Sequence, residues 1–283
     1  MNKRRRFPLA AAPFILWTAE FVAVPLIYIL CMSFMRRADT WGVEAAFTLE
    51  SYQKLLDPNY LSVFGRSLWL AVLTTLLTLL IGYPFAYFTA GLPPKKRSLA
   101  LMLVIVPFWT NSLVRIYGWM ILLRGQGVVN SLLAALGLID APLKLLYNFG
   151  AVLVGMVYAL IPFMILSVYN AVAKLDPALI EAARDLGAGR WRAFWTITVP
   201  MTRAGIMAGC VLVFIPSIGL FFISDLLGGS KTMLLGNLIR DELLTARNWP
   251  LGAALSVVMM AATLLVIGGY RRLSGEKSLE GIV

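Results

Sequence analysis

The sequence predicts an all-α membrane protein with six transmembrane helices, and three observations predict it. Apolar residues make up 60% of the 283 and charged residues only 14%, with a mean hydropathy of +0.81. A water-soluble domain is about half apolar and about a quarter charged, so this chain lacks the polar surface to wet its own exterior. The apolar residues also gather into six stretches almost free of charge. Each supplies the roughly 20 residues that a helix needs to cross about 30 Å of hydrocarbon. Finally, Lys and Arg concentrate in alternate connections, as they do in cytoplasmic loops.

The first helix is expected over about 12–34, behind the basic start Lys3, Arg4, Arg5 and Arg6, with Glu20 as its one charge. It is too long for the apolar region of a signal peptide, and bulky Met32, Phe34 and Met35 stand where a small-residue cleavage site would follow, so it reads as uncleaved. The second, over 67–91, carries no charge, and the third, over 98–122, carries only Arg115, with Pro107 expected to kink it. The fourth spans 149–172, the fifth 204–225 up to Asp225, and the sixth 250–270, all otherwise uncharged. A further apolar piece, 125–139, is too short to span and reads as a helix lying at the interface.

With the N-terminus inside, fifteen Lys and Arg fall on the cytoplasmic side, whereas the nine outside are nearly balanced by eight acids. Both termini are therefore expected in the cytoplasm of a multi-pass protein of the bacterial inner membrane, in contact with lipid. Most of the formal charge of +11 then sits on one membrane face, which explains the high pI without a nucleic-acid partner. The absence of His excludes Ser-His-Asp, Cys-His and HExxH chemistry. Cys31 and Cys210 lie in apolar runs and read as small hydrophobes, with no disulfide or metal site indicated. No catalytic group is expected in this chain, and no metal. A proton-coupled carrier or membrane enzyme is the reading from another class, but neither an inverted repeat nor clustered carboxylates support it.

The loop 174–200 has structure of its own. Asp176 is a good N-cap, Pro177 suits the first helical position, and Gly187 stands where a left-handed C-cap would close a helix of about ten residues. Leu179, Ala182, Ala183 and Leu186 share one face of it, and the small alanines admit a close neighbour. A second short helix is expected from about Arg190 to a stop at Pro200. The stretch EAARDLGAGRWRAFWTITVP resembles the EAA signature of ABC-importer permeases, with Glu181, Ala182, Ala183, Gly187, Ile197 and Pro200 in register. The resemblance extends along most of the chain to permeases of the spermidine/putrescine importer family, the PotB type, most tellingly at VPFWTNSLVRIYGW (106–119) and FISDLLGG (222–229).

That resemblance implies the type I ABC importer (MetI-like) fold and a transport subunit rather than an enzyme. It implies four partner chains: a second permease of the PotC type, a homodimeric cytoplasmic ATPase that binds ATP and Mg, and an extracytoplasmic substrate-binding protein. Residues 174–200 would be the cytoplasmic coupling loop, with Glu181, Ala182, Ala183, Asp185 and Gly187 meeting the ATPase. The same machinery could carry another small solute, such as thiamine, sulfate or ferric iron.

A polycation calls for carboxylates and for aromatic faces that attract ammonium groups. Trp109 lies near the middle of the third helix, where an interfacial belt explains it poorly, and Asn111 and Tyr117 follow it. Tyr117, like Trp119, also fits such a belt. Asp225 either lines the path or caps the turn before Gly228 and Gly229. Glu20 lies about 12 Å into its helix and calls for water or a partner. Arg115 would repel a polycation and reads as reaching headgroups or an acid.

Overall fold

The computed structural model describes residues 12–38 and 42–274; the basic start at 3–6, Asp39, Lys277 and both chain ends lie outside them. In chain order the helices are α1 (Ala12–Thr18), α2 (Val24–Ser33), α3 (Glu50–Lys54), α4 (Pro58–Ala90), α5 (Pro94–Ile105), α6 (Ser112–Leu123) and α7 (Val128–Ala135). They continue as α8 (Phe149–Ala173), α9 (Pro177–Asp185), α10 (Arg190–Ala193), α11 (Val199–Gly219), α12 (Phe221–Ile223), α13 (Leu235–Arg240) and α14 (Trp249–Ser274). A two-residue antiparallel pair, β1 (Arg36–Arg37) and β2 (Val43–Glu44), sets Arg36 opposite Glu44. Among the described residues five helices are long and apolar enough to cross a membrane, and a sixth follows if the bent pair Pro94–Trp109 and Ser112–Ala135 counts as one span.

Several boundaries differ from those the sequence predicts. The second span starts at Pro58 rather than 67, because Arg66 near its outer end does not interrupt the helix. The third is not one kinked helix but two, joined at 96°. Pro107 lies in a tight turn, Val106–Trp109; Thr110 is then extended, and the Asn111 side chain accepts the Leu113 N–H at 2.8 Å to start α6 afresh. The expected stop at Pro200 is absent, since the chain is helical from Arg190 to Gly219. A π-helical turn, Phe194–Thr198, stands just before Val199-Pro200, and a second, Ala19–Ala23, just before Val24-Pro25. A π turn shifts the bonding register where proline removes a donor, so both helices continue through their prolines. The fifth span ends at Gly219, not 225, because Leu220 leaves helical geometry at ψ 73°.

The chain forms two compact units. The first comprises the described residues up to Leu61 with Leu238–Ala262. There the span Ala12–Ser33 exposes Phe14, Leu16, Trp17, Phe21 and Tyr28. Beyond it, Phe34 stacks on Phe47 at 5.4 Å, Ser33 Oγ lies 2.8 Å from the Tyr52 hydroxyl, and Arg37 donates to the Ala246 carbonyl at 3.0 Å. The Lys54 ammonium, 2.8 Å from Glu50, holds that carboxyl below the usual range by a hydrogen bond and by charge.

The second unit, Ser62–Asn237 with the described residues from Thr263, is built on α8. One end of α8 packs Ala151, Val152 and Met156 with Leu70, Ile116, Ile223 and Leu227; the other packs Leu160, Met164, Ile165 and Val168 with Tyr83, Ala86 and Val213. α11 lies against α8 through Gly205 and Gly209, one turn apart. A methyl at Gly209 would stand 2.6 Å from Met164 Sδ, and one at Gly205 would collide with the Ala171 methyl. Lipid tails are as apolar as Leu, so association in a bilayer relies on this close packing and on hydrogen bonds such as Ser167 Oγ to the Gly205 carbonyl at 2.8 Å.

Candidate functional site

The loop after α8 forms a self-capped helix that leaves one face unoccupied. Asp176 accepts the Ala178 N–H at 3.0 Å, and Pro177, which has no N–H, takes the first helical position. At the other end Gly187 adopts φ +85°, donating to the Arg184 carbonyl while Ala188 donates to that of Ala183. These are the paired bonds of a Schellman cap, and the left-handed residue between them favours glycine. Glu181, Ala182 and Asp185 are exposed, Ala183 is half-buried, and Leu186 keeps 89% of its surface open. Leu179 is exposed too. Ile180 and Arg184 face another way, toward a groove of about 820 Å³ beside α4, α10 and α11. Glu181 has no ion-pair partner among the described residues, so its charge is available to another chain.

The residues singled out for a translocation path do not converge. Trp109 (78% exposed) and Asn111 flank the break between α5 and α6, and Tyr117 is exposed on α6. Asn111 spends its side-chain oxygen on capping α6. Asp225 does not end the fifth span; it lies in the turn Ser224–Gly228 beyond the break, where Asn237 Nδ2 donates to it at 2.6 Å. Asn237, 4% exposed, also donates to the Phe221 carbonyl and accepts the Leu234 N–H, while Ser224 Oγ bonds the Thr232 carbonyl. Asp225 therefore anchors the connection between α12 and α13. Glu20 belongs to the first unit, exposed within the π turn Ala19–Ala23.

Arg115 takes a place that its charge alone did not indicate. Its guanidinium stands 4.1 Å from the centre of the Phe108 ring and 5.7 Å from that of Tyr158, and its buried Nε and Nη1 have no hydrogen-bond partner. Among the described residues no acid pairs with it; the aromatic faces of Phe108 and Tyr158 hold it. Trp119 meets Tyr158 edge to face at 5.5 Å, which uses its ring in packing. Sequence reasoning also passed over the aromatic wall of the groove beside α9. Its signal was the pattern Trp191, Phe194, Trp195, which gathers three rings on little more than one turn.

Known proteins supply the context. The family model described as "Binding-protein-dependent transport system inner membrane component" matches residues 82–275. The "Spermidine/putrescine transport system permease protein PotB" of Escherichia coli (strain K12) is 47% identical over 264 residues, covering 92% of this chain and 96% of that one. Its namesake from Haemophilus influenzae is 44% identical over 256 residues, covering 90% of each. In fold, the chain resembles a subunit of the bacterial alginate ABC transporter in complex with an alginate pentasaccharide-bound periplasmic protein, with TM-score 0.77 at 19% identity over 95% of this chain and 94% of that one. A membrane-embedded helical core, a self-capped EAA helix with an open face, and this breadth of identity lead to one assignment: the chain belongs to the inner membrane permease components of binding-protein-dependent transport systems, of the PotB type.

Proposed function

We propose that this permease carries polyamines, spermidine or putrescine, inward across the membrane as part of an ATP-driven importer. Identity of 47% across nearly the whole chain to a spermidine/putrescine permease carries the reading. The partners are a second permease of the PotC type, a homodimeric ATPase that alone binds ATP and Mg, and a binding protein that delivers substrate from outside. Both termini and the loop 174–200 lie on the cytoplasmic side, as the excess of Lys and Arg there favours. Glu181, Ala182, Ala183, Asp185 and Gly187 form the surface and turn that meet the ATPase. The exposed Glu181 offers a charge-assisted contact, and Ala182 allows close approach. Along the path, Trp109 offers an exposed π face to an ammonium group, and Asn111 and Tyr117 add polar and aromatic surface further along the same stretch. Asp225 acts there through the fold it holds, and Glu20 adds negative charge on the first span.

The test is uptake of labelled spermidine by cells or proteoliposomes holding the complete transporter. ATP-dependent uptake, competed by putrescine but not by thiamine, sulfate or ferric iron, is the expected result. Competition by one of those solutes instead would reassign the cargo and leave the machine unchanged. Loss of uptake on collapsing the proton gradient while ATP stays high would favour a carrier.

A further inference from the structure

We infer that the groove beside the coupling helix is a binding site for an anionic phospholipid of the cytoplasmic leaflet. The groove is walled by rings. Phe194 stands at its centre, edge to face with Tyr83 at 5.7 Å, Tyr87 at 5.5 Å, Trp195 at 5.3 Å and Trp191 at 6.3 Å. Trp191 and Trp195 keep 77% and 62% of their surfaces exposed. Large aromatics with an apolar body and a polar edge settle at the headgroup level of a bilayer. The floor is aliphatic, from Leu79, Leu80 and Ile206.

Charge selects the occupant. Arg184, from the last turn of α9, and Arg190, at the start of α10, line the same groove, and no carboxylate does. Neither arginine has an ion-pair partner among the described residues. A ligand that fits must bring a negative headgroup to two guanidiniums and an apolar chain to the aromatic and aliphatic wall. A phospholipid carries both, and guanidinium groups pair with phosphate through two parallel hydrogen bonds. The anionic cytoplasmic leaflet presents such molecules next to basic segments. Because Ile180 and Arg184 stand on α9 itself, the bound lipid fixes the helix that carries Glu181. The inference rests on the cytoplasmic placement of this loop.

The test uses the assembled transporter with its second permease and ATPase, purified from membranes of phosphatidylethanolamine and phosphatidylglycerol. Retained lipid is counted by native mass spectrometry. The wild-type complex is expected to retain phosphatidylglycerol in preference to phosphatidylethanolamine. The double variant Arg190→Gln, Trp195→Ala is expected to retain at least about tenfold less, the lower end of what a hydrogen bond to a charged group contributes. Equal retention of the two lipids, or unchanged retention by the variant, would overturn the inference. Should the double variant fail to assemble, the single variant Trp195→benzoylphenylalanine decides by photocrosslinking: an adduct with phospholipid supports the site, and adducts solely with the second permease or the ATPase refute it. Neither readout involves substrate, so failure here leaves the polyamine reading standing, and failure of spermidine uptake leaves the lipid site standing.

Discussion

Asp225 and Trp109 carry opposite signatures, one engaged within the chain and the other open. Asp225 accepts from Asn237 at 2.6 Å, and Asn237 in turn ties the Leu234 N–H and the Phe221 carbonyl. Asn237→Ala removes an amide donor to the half-buried Asp225 and leaves the buried Leu234 N–H without its side-chain acceptor, and destabilisation of about 1–3 kcal/mol is expected, read as a lower melting temperature of the purified complex. Trp109, with 78% of its surface exposed, is tied to the substrate reading instead. Trp109→Ala is expected to raise the KM for spermidine about 2- to 30-fold, the range of one cation–π contact, with Trp109→Phe retaining most of the affinity. An unchanged KM in the alanine variant would remove Trp109 from the path. At this scale the sequence identified the residue types and not their engagements: an Asp at a helix end reads alike whether it faces water or an amide from a residue twelve positions away.

At the scale of elements, α9 was legible in full because its ends are set by local chemistry. Asp176, Pro177 and Gly187 lie within a few residues of the groups they cap, so nothing distant decides them. The breaks at Thr110 and Leu220, and the continuation through Pro200, were not legible. A proline permits a kink, a break or a π turn, and packing against neighbouring helices chooses among them. Two element-level outcomes are expected. Glu181→Lys reverses a charge on the open face of α9, one turn before Asp185; the complex should insert and fold, but spermidine uptake should fall while basal ATPase activity persists. Normal uptake in that variant would sink the coupling role. Gly205→Val forces branched methyls against Ala171 and the Ser167 carbonyl. Overpacking of this kind costs about 1–3 kcal/mol, so a lower melting temperature is expected, whereas the same change at Gly65, where an added Cβ would meet nothing within 4 Å beyond its own stretch of helix backbone, should be tolerated better in packing terms.

Across the whole molecule, hydropathy agrees with a multi-pass permease, and the proposed topology turns its basic side to the cytoplasm. That topology is open to direct measurement. In a Cys31→Ser, Cys210→Ser background, Leu186→Cys places one thiol at a position 89% exposed. A membrane-impermeant maleimide should label it in inverted vesicles and not in intact cells. Labelling of intact cells would invert the orientation and displace the coupling loop from the ATPase side. By itself the sequence determined the solvent this protein lives in, the number of apolar stretches, the cap-to-cap outline of α9 and the family signature. Those depend on composition and on contacts within a turn or two. Only the tertiary structure decided that the third stretch bends by 96°, that Arg115 rests on Phe108 and Tyr158, and that Arg184 and Arg190 meet at one aromatic groove. Each of these joins residues from separate helices, and helix-to-helix packing is not written in the periodicity of any one of them.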